Sequence, residues 1–398
     1  MLHASRRLSL LVGLVFVVTA CTAGSSPPAG GGTGAASTPA PAGGSASAPA
    51  TSTAQAGGAG APAATTAGSA AATAPPAAKH VRTGQQSIAA NTVLFIAADR
   101  GYFQQEGLDV GLVSFNDASQ MIPSLATEQI DSAGIAANPA MWNAVARGVS
   151  LKAVLDQATF RPGHGTTALL MRKEVYDSGR GHSLSDLGGL TIAFTPPGLG
   201  TTNACAMSPA LQRAGASFAD FNIQTLPFPE MLPALANGAV DGAVAAEPFM
   251  TRALQQGTAV KVMGQDEMYP NFTVAFIGFS GSLYADRPTA ERWARGYLRA
   301  VRAYQAALAG QGGDLSREQV DEIVARHTGI DAATVRAMVP LGQDPNGYPN
   351  RDSMLYCYQF FRDQGLIPQP VSPAAMDALW GTDVVDAVLN DLGRVPES

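Results

Sequence analysis

The segment PPGLGTTN at residues 196–203 combines glycines with hydroxyl side chains directly before a stretch of helical periodicity. Gly200 lets the backbone approach a bound molecule, and the hydroxyls of Thr201 and Thr202 can donate hydrogen bonds to it. The unpaired N–H groups of the following helix suit an anionic group. The spacing is G-x-G-x-x-N, which lacks the third glycine of a dinucleotide fingerprint, so NAD binding is not expected. The alternative is that these threonines only cap the helix.

Polar residues also precede two helical stretches in the first half of the chain. Ser87 and Asn91 lie just before a helical pattern that begins at residue 92, and Asn138 stands directly before Pro139. Asn138 is expected to cap a helix whether or not it also contacts a ligand. Because ligands of open α/β sheets bind at strand ends against helix N-termini, these residues are candidate ligand contacts.

Glu247, His164 and two phenylalanines complete the candidate contacts. Glu247 follows an apolar segment. It either accepts a hydrogen bond from a ligand amine or ring N–H, or stabilises a helix N-terminus. His164 lies between glycines, which favours an exposed turn over a ligand contact. Phe228 and Phe272 are candidates for stacking on a planar ligand, although Phe is more often buried in a core.

The motifs of the common catalytic and cofactor sites are absent from the sequence. G-x-S-x-G, H-E-x-x-H, C-x-x-C and the P-loop lysine do not occur, and the acidic residues are dispersed. No catalytic residue, metal or cofactor is therefore predicted. A net charge of −6 disfavours nucleic acid as a partner, because its phosphates attract basic surfaces. Cys205 and Cys357 are expected to be reduced, packed thiols, with a disulfide as the alternative in an exported protein.

Short apolar runs alternate with helical periodicity from residue 79 onward, which is typical of an α/β fold with parallel or mixed sheets. The predicted strands lie at residues 81–84, 110–115, 130–136, 151–157, 167–172, 191–195, 222–226, 240–245, 260–263 and 273–280. The predicted helices between them lie at residues 92–105, 120–128, 139–147, 201–214, 231–237 and 248–256. The C-terminal third is more helical, with an amphipathic stretch at 288–308 and helix starts at Ser316 and Ser372.

Two α/β units follow one another in the sequence. The apolar segments 167–172 and 273–280 flank the second unit and are expected to cross between the units. We therefore predict lobe 1 at residues 80–175 plus 275–398 and lobe 2 at residues 176–274. Hinge closure is expected through the segments near 166–180 and 268–282.

The N-terminal 79 residues are expected to carry export and anchoring signals rather than a domain. Residues 1–20 combine Arg6 and Arg7 with an apolar stretch too short for a membrane span, which indicates a signal peptide. The segment Val18-Thr19-Ala20-Cys21 at the end of this stretch resembles a bacterial lipobox, which implies lipidation of Cys21. Residues 21–79 are dominated by Gly, Ala, Ser, Thr and Pro, so a disordered linker is predicted.

Several ordered segments give the chain a family resemblance. The segment AADRGYFQQEGLDV at 97–110 resembles the opening of substrate-binding proteins of the nitrate/sulfonate/taurine and thiamine-precursor type. Further similar segments follow in the expected order. They are ATEQID at 126–131, LSDLGGLTIA at 184–193, LPALANGAVDGA at 232–243 with Glu247-Pro248, and FRDQGLI at 361–367.

The resemblance implies a type II periplasmic-binding fold, with two α/β lobes joined by two crossover segments and a helical C-terminal part. It also implies a small-molecule ligand in the cleft between the lobes, an ABC permease and its ATPase as partners, and a monomer outside the cytoplasm. Two alternatives stay open: a ligand sensor for a membrane receptor, and a pyrimidine-precursor-type enzyme of the same fold. The resemblance does not identify the ligand.

Overall fold

The structure is a computed structural model that describes residues 78–115 and 120–396. The predicted signal peptide, Cys21 and the linker as far as residue 77 lie outside the described residues. Strands and helices alternate over the first two thirds of this part, which confirms the predicted α/β class. None of its helices combines the length and the apolar character needed to cross a bilayer.

The strands are β1 (Lys79–Gln85), β2 (Leu108–Ser114), β3 (Ser132–Ile135), β4 (Leu151–Phe160), β5 (Thr167–Arg172), β6 (Thr191–Phe194), β7 (Asn222–Thr225), β8 (Gly242–Ala246), β9 (Ala259–Gly264) and β10 (Phe272–Ser280). The helices are α1 (Thr92–Asp99), α2 (Tyr102–Gln105), α3 (Met121–Ala126), α4 (Pro139–Ala146), α5 (Lys173–Asp177), α6 (Thr202–Arg213), α7 (Phe228–Ala236), α8 (Phe249–Gln255), α9 (Gln265–Met268), α10 (Gly281–Ala285), α11 (Arg287–Leu308), α12 (Arg317–Thr328), α13 (Ala332–Ala337), α14 (Arg351–Asp363), α15 (Pro373–Leu379) and α16 (Asp383–Leu392).

Local sequence signals explain most of these boundaries. Ser316 and Gln319 form the predicted capping box at the start of α12, and Ser372 caps α15. The single helix predicted at 92–105 is wrong, because Gly101 adopts φ = 72° and divides it into α1 and α2. A left-handed residue interrupts the helical hydrogen-bond pattern, and glycine adopts that conformation without steric cost.

The first sheet has the strand order β2-β1-β3-β10-β4. Strands β1, β2 and β3 are parallel, whereas β10 runs antiparallel to both β3 and β4. The C-terminal helices complete this lobe, since α11 buries Trp293, Tyr297 and Tyr304 in a core with α1 and α16. Burial of these aromatic rings supplies much apolar area to the lobe.

The second sheet has the order β7-β6-β8-β5-β9, with β6 parallel to β7 and β8 and with β5 antiparallel to β8 and β9. Strand β5 thus belongs to the second lobe, so the predicted boundary at residue 175 is wrong. The connections between the sheets are residues 161–166 and 265–271, which are shorter than the predicted hinge segments. The apolar run of β5 marked a buried strand but did not reveal which sheet contains it.

The cysteines also differ from the expectation. Cys205 on α6 and Cys357 on α14 form a disulfide, with their Cα atoms 5.6 Å apart, so the expected reduced thiols are wrong. The two cysteines are separated by 152 positions in the sequence. Only the packing of α6 against α14 brings them within bonding distance, and no local pattern in the sequence encodes that packing.

Candidate functional site

A cleft of about 320 Å³ lies between the two sheets. Its walls include the segments that follow the carboxyl ends of β1 and β3 in lobe 1, and those that follow β6 and β8 in lobe 2. The side chains of lobe 1 that line it include Gln86, Ile88, Asn91, Asn138, Gln157 and Val274. Those of lobe 2 include Thr195, Thr201, Thr202, Phe228, Glu247 and Phe249. Strand ends that converge from two sheets form a usual ligand site of α/β proteins.

Two hydrogen-bonded amide side chains line the cleft in lobe 1. Gln157 on β4 is 3% exposed, and its Nε2 donates a 2.6 Å hydrogen bond to Asn91 Oδ1. Asn91 Nδ2 in turn donates to the carbonyl of Gln86 at 2.9 Å. Gly134 makes room for this network, since a Cβ there would lie 2.3 Å from Gln157 Oε1. The network fixes the orientation of both amides before any ligand arrives.

The start of α6 forms much of the lobe-2 wall. Thr201 is the helix N-cap: its Oγ1 accepts a hydrogen bond from the Ala204 N–H at 3.2 Å and donates one to the Gly198 carbonyl at 2.9 Å. The capping role expected of these threonines is thus present at Thr201, which also lines the cleft. Thr202 is 8% exposed and lines the cleft beside it. The first N–H groups of a helix have no partner within the helix, so they are available to a ligand.

Glu247 lies at the end of β8 and is 6% exposed. Its Oε1 accepts hydrogen bonds from the Val339 N–H and the Thr251 hydroxyl, both at 2.9 Å, and its Oε2 accepts one from the Thr251 N–H at 3.1 Å. Burial raises the pKa of Glu247, and these hydrogen bonds act in the opposite direction. The carboxylate therefore links the start of α8 to the segment after α13 through hydrogen bonds. Glu247 also lines the cleft.

Two phenyl rings form the apolar part of the lobe-2 wall. Phe228 and Phe249 begin α7 and α8, and their rings stack with centroids 5.8 Å apart and planes 14° apart. Both side chains are half-buried and line the cleft. A half-exposed aromatic pair offers a surface to a flat or apolar part of a ligand.

The described residues that line the cleft include no Lys, Arg or His, and Glu247 is their one ionisable side chain. An anionic group in the cleft would therefore interact with N–H groups, hydroxyls and side-chain amides rather than with a cation. The carboxylate of Glu247 accepts three hydrogen bonds from the protein itself. The described part of the chain also contains no cluster of His, Cys, Asp and Glu suited to a metal ion.

The structure places seven of the candidate ligand contacts on the cleft: Asn91, Asn138, Gly200, Thr201, Thr202, Phe228 and Glu247. Ser87 is exposed beside the cleft and does not line it. His164 lies outside it, where the ring Nδ1 is 3.1 Å from the Pro340 carbonyl. Phe272 is fully buried and stacks on Phe160 in the core of lobe 1, so its predicted place on the cleft is wrong. Strand β10 directs Phe272 into the sheet packing, and no loop carries it.

Other residues that line the cleft were not predicted from the sequence, among them Gln86, Gln157, Thr195 and Phe249. One signal was present for Gln157, because the pair Asp156-Gln157 interrupts an apolar run that forms a buried strand. A polar residue at a buried position needs a hydrogen-bond partner and often belongs to a site. Phe249 could have been found from its place directly after Glu247-Pro248 at a strand end.

Residues 74–310 match the model of the NMT1-like family. The chain belongs to this family. The match covers more than half of the chain and includes both sheets. It supports the family resemblance noted in the sequence segments above.

Comparison with solved structures identifies the fold. The periplasmic aliphatic sulphonate binding protein SsuA from Escherichia coli superposes with a TM-score of 0.60 and 19% identity, over 76% of this chain and 92% of SsuA. The periplasmic nitrate-binding protein NrtA from Synechocystis PCC 6803 superposes with a TM-score of 0.62 and 13% identity, over 79% of this chain and 89% of NrtA. These likenesses confirm the predicted periplasmic-binding fold.

One further solved structure and one sequence also match the chain. The desulfurization enzyme DSZB superposes with a TM-score of 0.54 and 13% identity, over 78% of this chain and 99% of that enzyme. The bicarbonate transport ATP-binding protein CmpC of Synechocystis is 24% identical over 210 residues, which are 50% of this chain. The match spans 31% of the length of CmpC.

Proposed function

We propose that the chain is an extracytoplasmic solute-binding lipoprotein, which captures a small organic solute between its lobes and delivers it to an ABC importer. The observation that supports this proposal most is the cleft, whose polar and aromatic side chains come from both lobes. Two connections, at residues 161–166 and 265–271, join the lobes and are suited to hinge motion. Closure around a solute would bring the two walls together.

The walls suggest which groups the solute carries. The N-terminus of α6, with Thr202, suits an anionic or acceptor group. The rings of Phe228 and Phe249 suit a flat or apolar part of the same molecule. Glu247 is committed to hydrogen bonds within the protein, so its role as acceptor for a ligand donor is secondary.

A thermal-shift screen tests solute binding. The panel contains nitrate, alkanesulfonates, aromatic acids, pyrimidines and flavin precursors. A solute present at about 100 times its Kd should stabilise the protein by about 2.7 kcal/mol, because it binds only the folded state. The matched control is the variant with Thr201→Val and Thr202→Val, which should lose the shift for an anionic solute. If no member of the panel shifts the wild-type melting temperature, the proposal fails.

Export and anchoring form a separate part of the proposal. Residues 1–20 would serve as signal peptide, Cys21 would be lipidated, and the linker would let the binding lobes move freely near the outer face of the membrane. Cell fractionation of the Cys21→Ala variant tests this part. The variant should leave the membrane fraction while its melting temperature stays that of the wild type; retention in the membrane would contradict lipid anchoring.

An enzyme of the same fold is the second candidate, because DSZB shares the architecture. The cleft favours binding over catalysis, since Glu247 is the one ionisable side chain among its described lining residues. Chemical turnover of any solute found in the screen would move the assignment to an enzyme. A solute that binds without a transport defect in a deletion strain would favour the sensor instead.

A further inference from the structure

The Cys205–Cys357 disulfide joins the two lobes at a third place. Cys205 lies on α6, which follows β6 in lobe 2, whereas Cys357 lies on α14, which follows β10 and packs in lobe 1. Without it, the polypeptide connects the lobes only through residues 161–166 and 265–271 within the described part of the chain. A hinge with a third covalent connection has fewer directions in which it can open.

The bond lies next to the part of α6 that faces the cleft. Cys205 follows the cleft residues Thr202 and Asn203 within the first turn of the helix. Just before them, Gly200 approaches lobe 1 so closely that a Cβ there would lie 3.7 Å from both Pro139 Cγ and Leu366 Cδ1. The first turn of α6 is therefore positioned between the cleft on one side and lobe 1 on the other.

The non-covalent contacts of α6 with α14 and its neighbours are mainly apolar, because both helices contribute residues to one buried hydrophobic cluster. Tyr356 Oη donates a 3.3 Å hydrogen bond to Ser208 Oγ, and the rings of Phe218 and Phe360 are 6.0 Å apart. A cavity of about 480 Å³ opens beside them, lined by Leu211, Phe218 and Phe360 among others. Apolar packing is not directional, so one 3.3 Å hydrogen bond and one tilted ring pair next to a cavity leave the position of α6 against α14 weakly defined.

We infer that the Cys205–Cys357 disulfide positions the first turn of α6 as part of the binding site. The bond keeps this turn, with Thr202 and its N–H groups, in place against the start of α4 and opposite Asn138. The inference rests on the proposed function, because it gives the bond a part in solute binding. A preorganised wall lowers the ordering cost that a solute would otherwise meet on binding. Both cysteines are fully buried, so the surrounding protein protects the bond.

Hydrogen–deuterium exchange of the full chain tests this inference without any solute. In the variant with Cys205→Ala and Cys357→Ala, exchange in segment 202–206 should become on the order of tenfold faster than in the wild type at its hydrogen-bonded amides 204–206, because local opening of this turn becomes easier. Amides in β6 and in α11 should change much less. Should this variant fail to fold, the pair Cys205→Ala and Cys357→Val, which fills more of the space of the two sulfur atoms, provides the same comparison.

The matched control is Val388→Ala, which removes buried volume from α16 far from the cleft. It should speed exchange in α16 and α11 but leave residues 202–206 unchanged. If loss of the disulfide speeds exchange equally in both lobes, the bond is only a general stabiliser and the inference is wrong. Unchanged exchange at residues 202–206 would also overturn it. Because no solute is present, neither result depends on the outcome of the thermal-shift screen.

Discussion

The two walls of the cleft are built in different ways. The wall of lobe 1 depends on side chains, since the amides of Asn91 and Gln157 bond to each other at 2.6 Å. The wall of lobe 2 depends on the backbone, since the N-terminus of α6 presents its N–H groups and Thr201 caps it. Both walls include segments that follow the carboxyl ends of parallel strands, although Gln157 itself lies within the antiparallel strand β4.

This difference predicts different responses to substitution. A change in the lobe-1 wall disturbs a buried network, so it should reduce stability and solute binding together. A change in the lobe-2 wall that leaves the cap intact should reduce binding alone. Four substitutions, at Asp156, Gly134, Thr201 and Thr202, test this distinction.

Asp156 lies next to Gln157 on β4. Its ionisation should make the free energy of unfolding depend on pH. The side chain is 1% exposed, and its oxygens accept hydrogen bonds from the Thr159 hydroxyl at 2.8 Å and the Asp344 N–H at 2.7 Å. Burial raises its pKa from 3.8 to about 7. The folded state thus binds the proton more tightly than the unfolded chain does. Protonation of Asp156 therefore contributes to the free energy of unfolding. This contribution is fully present below about pH 4 and is lost as the pH rises through about 7.

Urea unfolding of the wild type and of Asp156→Asn at several pH values measures this effect. Asn stays neutral at every pH, so the unfolding free energy of this variant should decrease less between pH 4 and pH 8 than that of the wild type, while the contribution of Glu247 remains in both proteins. A pKa shift of this size corresponds to a few kcal/mol in the wild type. Equal pH dependence of the two proteins would show that Asp156 does not titrate in this range.

Gly134→Ala should disrupt the amide network of the lobe-1 wall directly. The new Cβ would lie 2.3 Å from Gln157 Oε1 and 2.4 Å from Nε2, so the amide must move away from Asn91. Overpacking of this kind costs about 1–3 kcal/mol of unfolding free energy, and solute affinity should fall as well. Gly188→Ala is the control, because a Cβ there meets nothing within 4 Å. Stability equal to that of the control would refute the structural role of the network.

Thr201→Val should reduce stability through the loss of the α6 cap. Its hydroxyl accepts the Ala204 N–H at 3.2 Å, and valine cannot replace that acceptor. Loss of an N-cap costs about 1 kcal/mol, which chemical denaturation can measure. An unchanged unfolding free energy would mean that the cap is not needed to form the lobe-2 wall.

Thr202→Val should have the smallest effect on stability. Thr202 lines the cleft and caps no helix, so the unfolding free energy should stay within about 0.5 kcal/mol of the wild type. Calorimetric titration with the best solute of the screen should nevertheless show weaker binding. Equal affinity of this variant and the wild type would remove Thr202 from the site.

The same contrast explains how much of the molecule could be predicted from the sequence. The loop at Gly200–Thr202 and the cap at Asn138 were predictable, because Gly, Thr and Asn-Pro are local signals at a helix start. Gln157 and Phe249 were missed, because their exposure to the cleft depends on how strands and helices pack. Phe272 was placed on the cleft for the same reason. The residues next to it in the sequence do not show whether its ring packs in the core.

The fold as a whole also divides into features set by local sequence patterns and features set by contacts between distant segments. Alternating patterns predicted the α/β class and most strands, because burial of one face imposes its periodicity on the sequence. The assignment of β5 to the second sheet and the pairing of Cys205 with Cys357 depend on contacts between distant segments. Such contacts leave no periodic trace in a single sequence.

Hydrogen–deuterium exchange with a solute identified in the thermal-shift screen is the most direct test of binding between the two walls. The account predicts slower exchange on solute binding at residues 86–91 in lobe 1 and at residues 200–206 in lobe 2, with little change in the helices far from the cleft. Protection in one lobe alone, or at a surface outside the cleft, would contradict it.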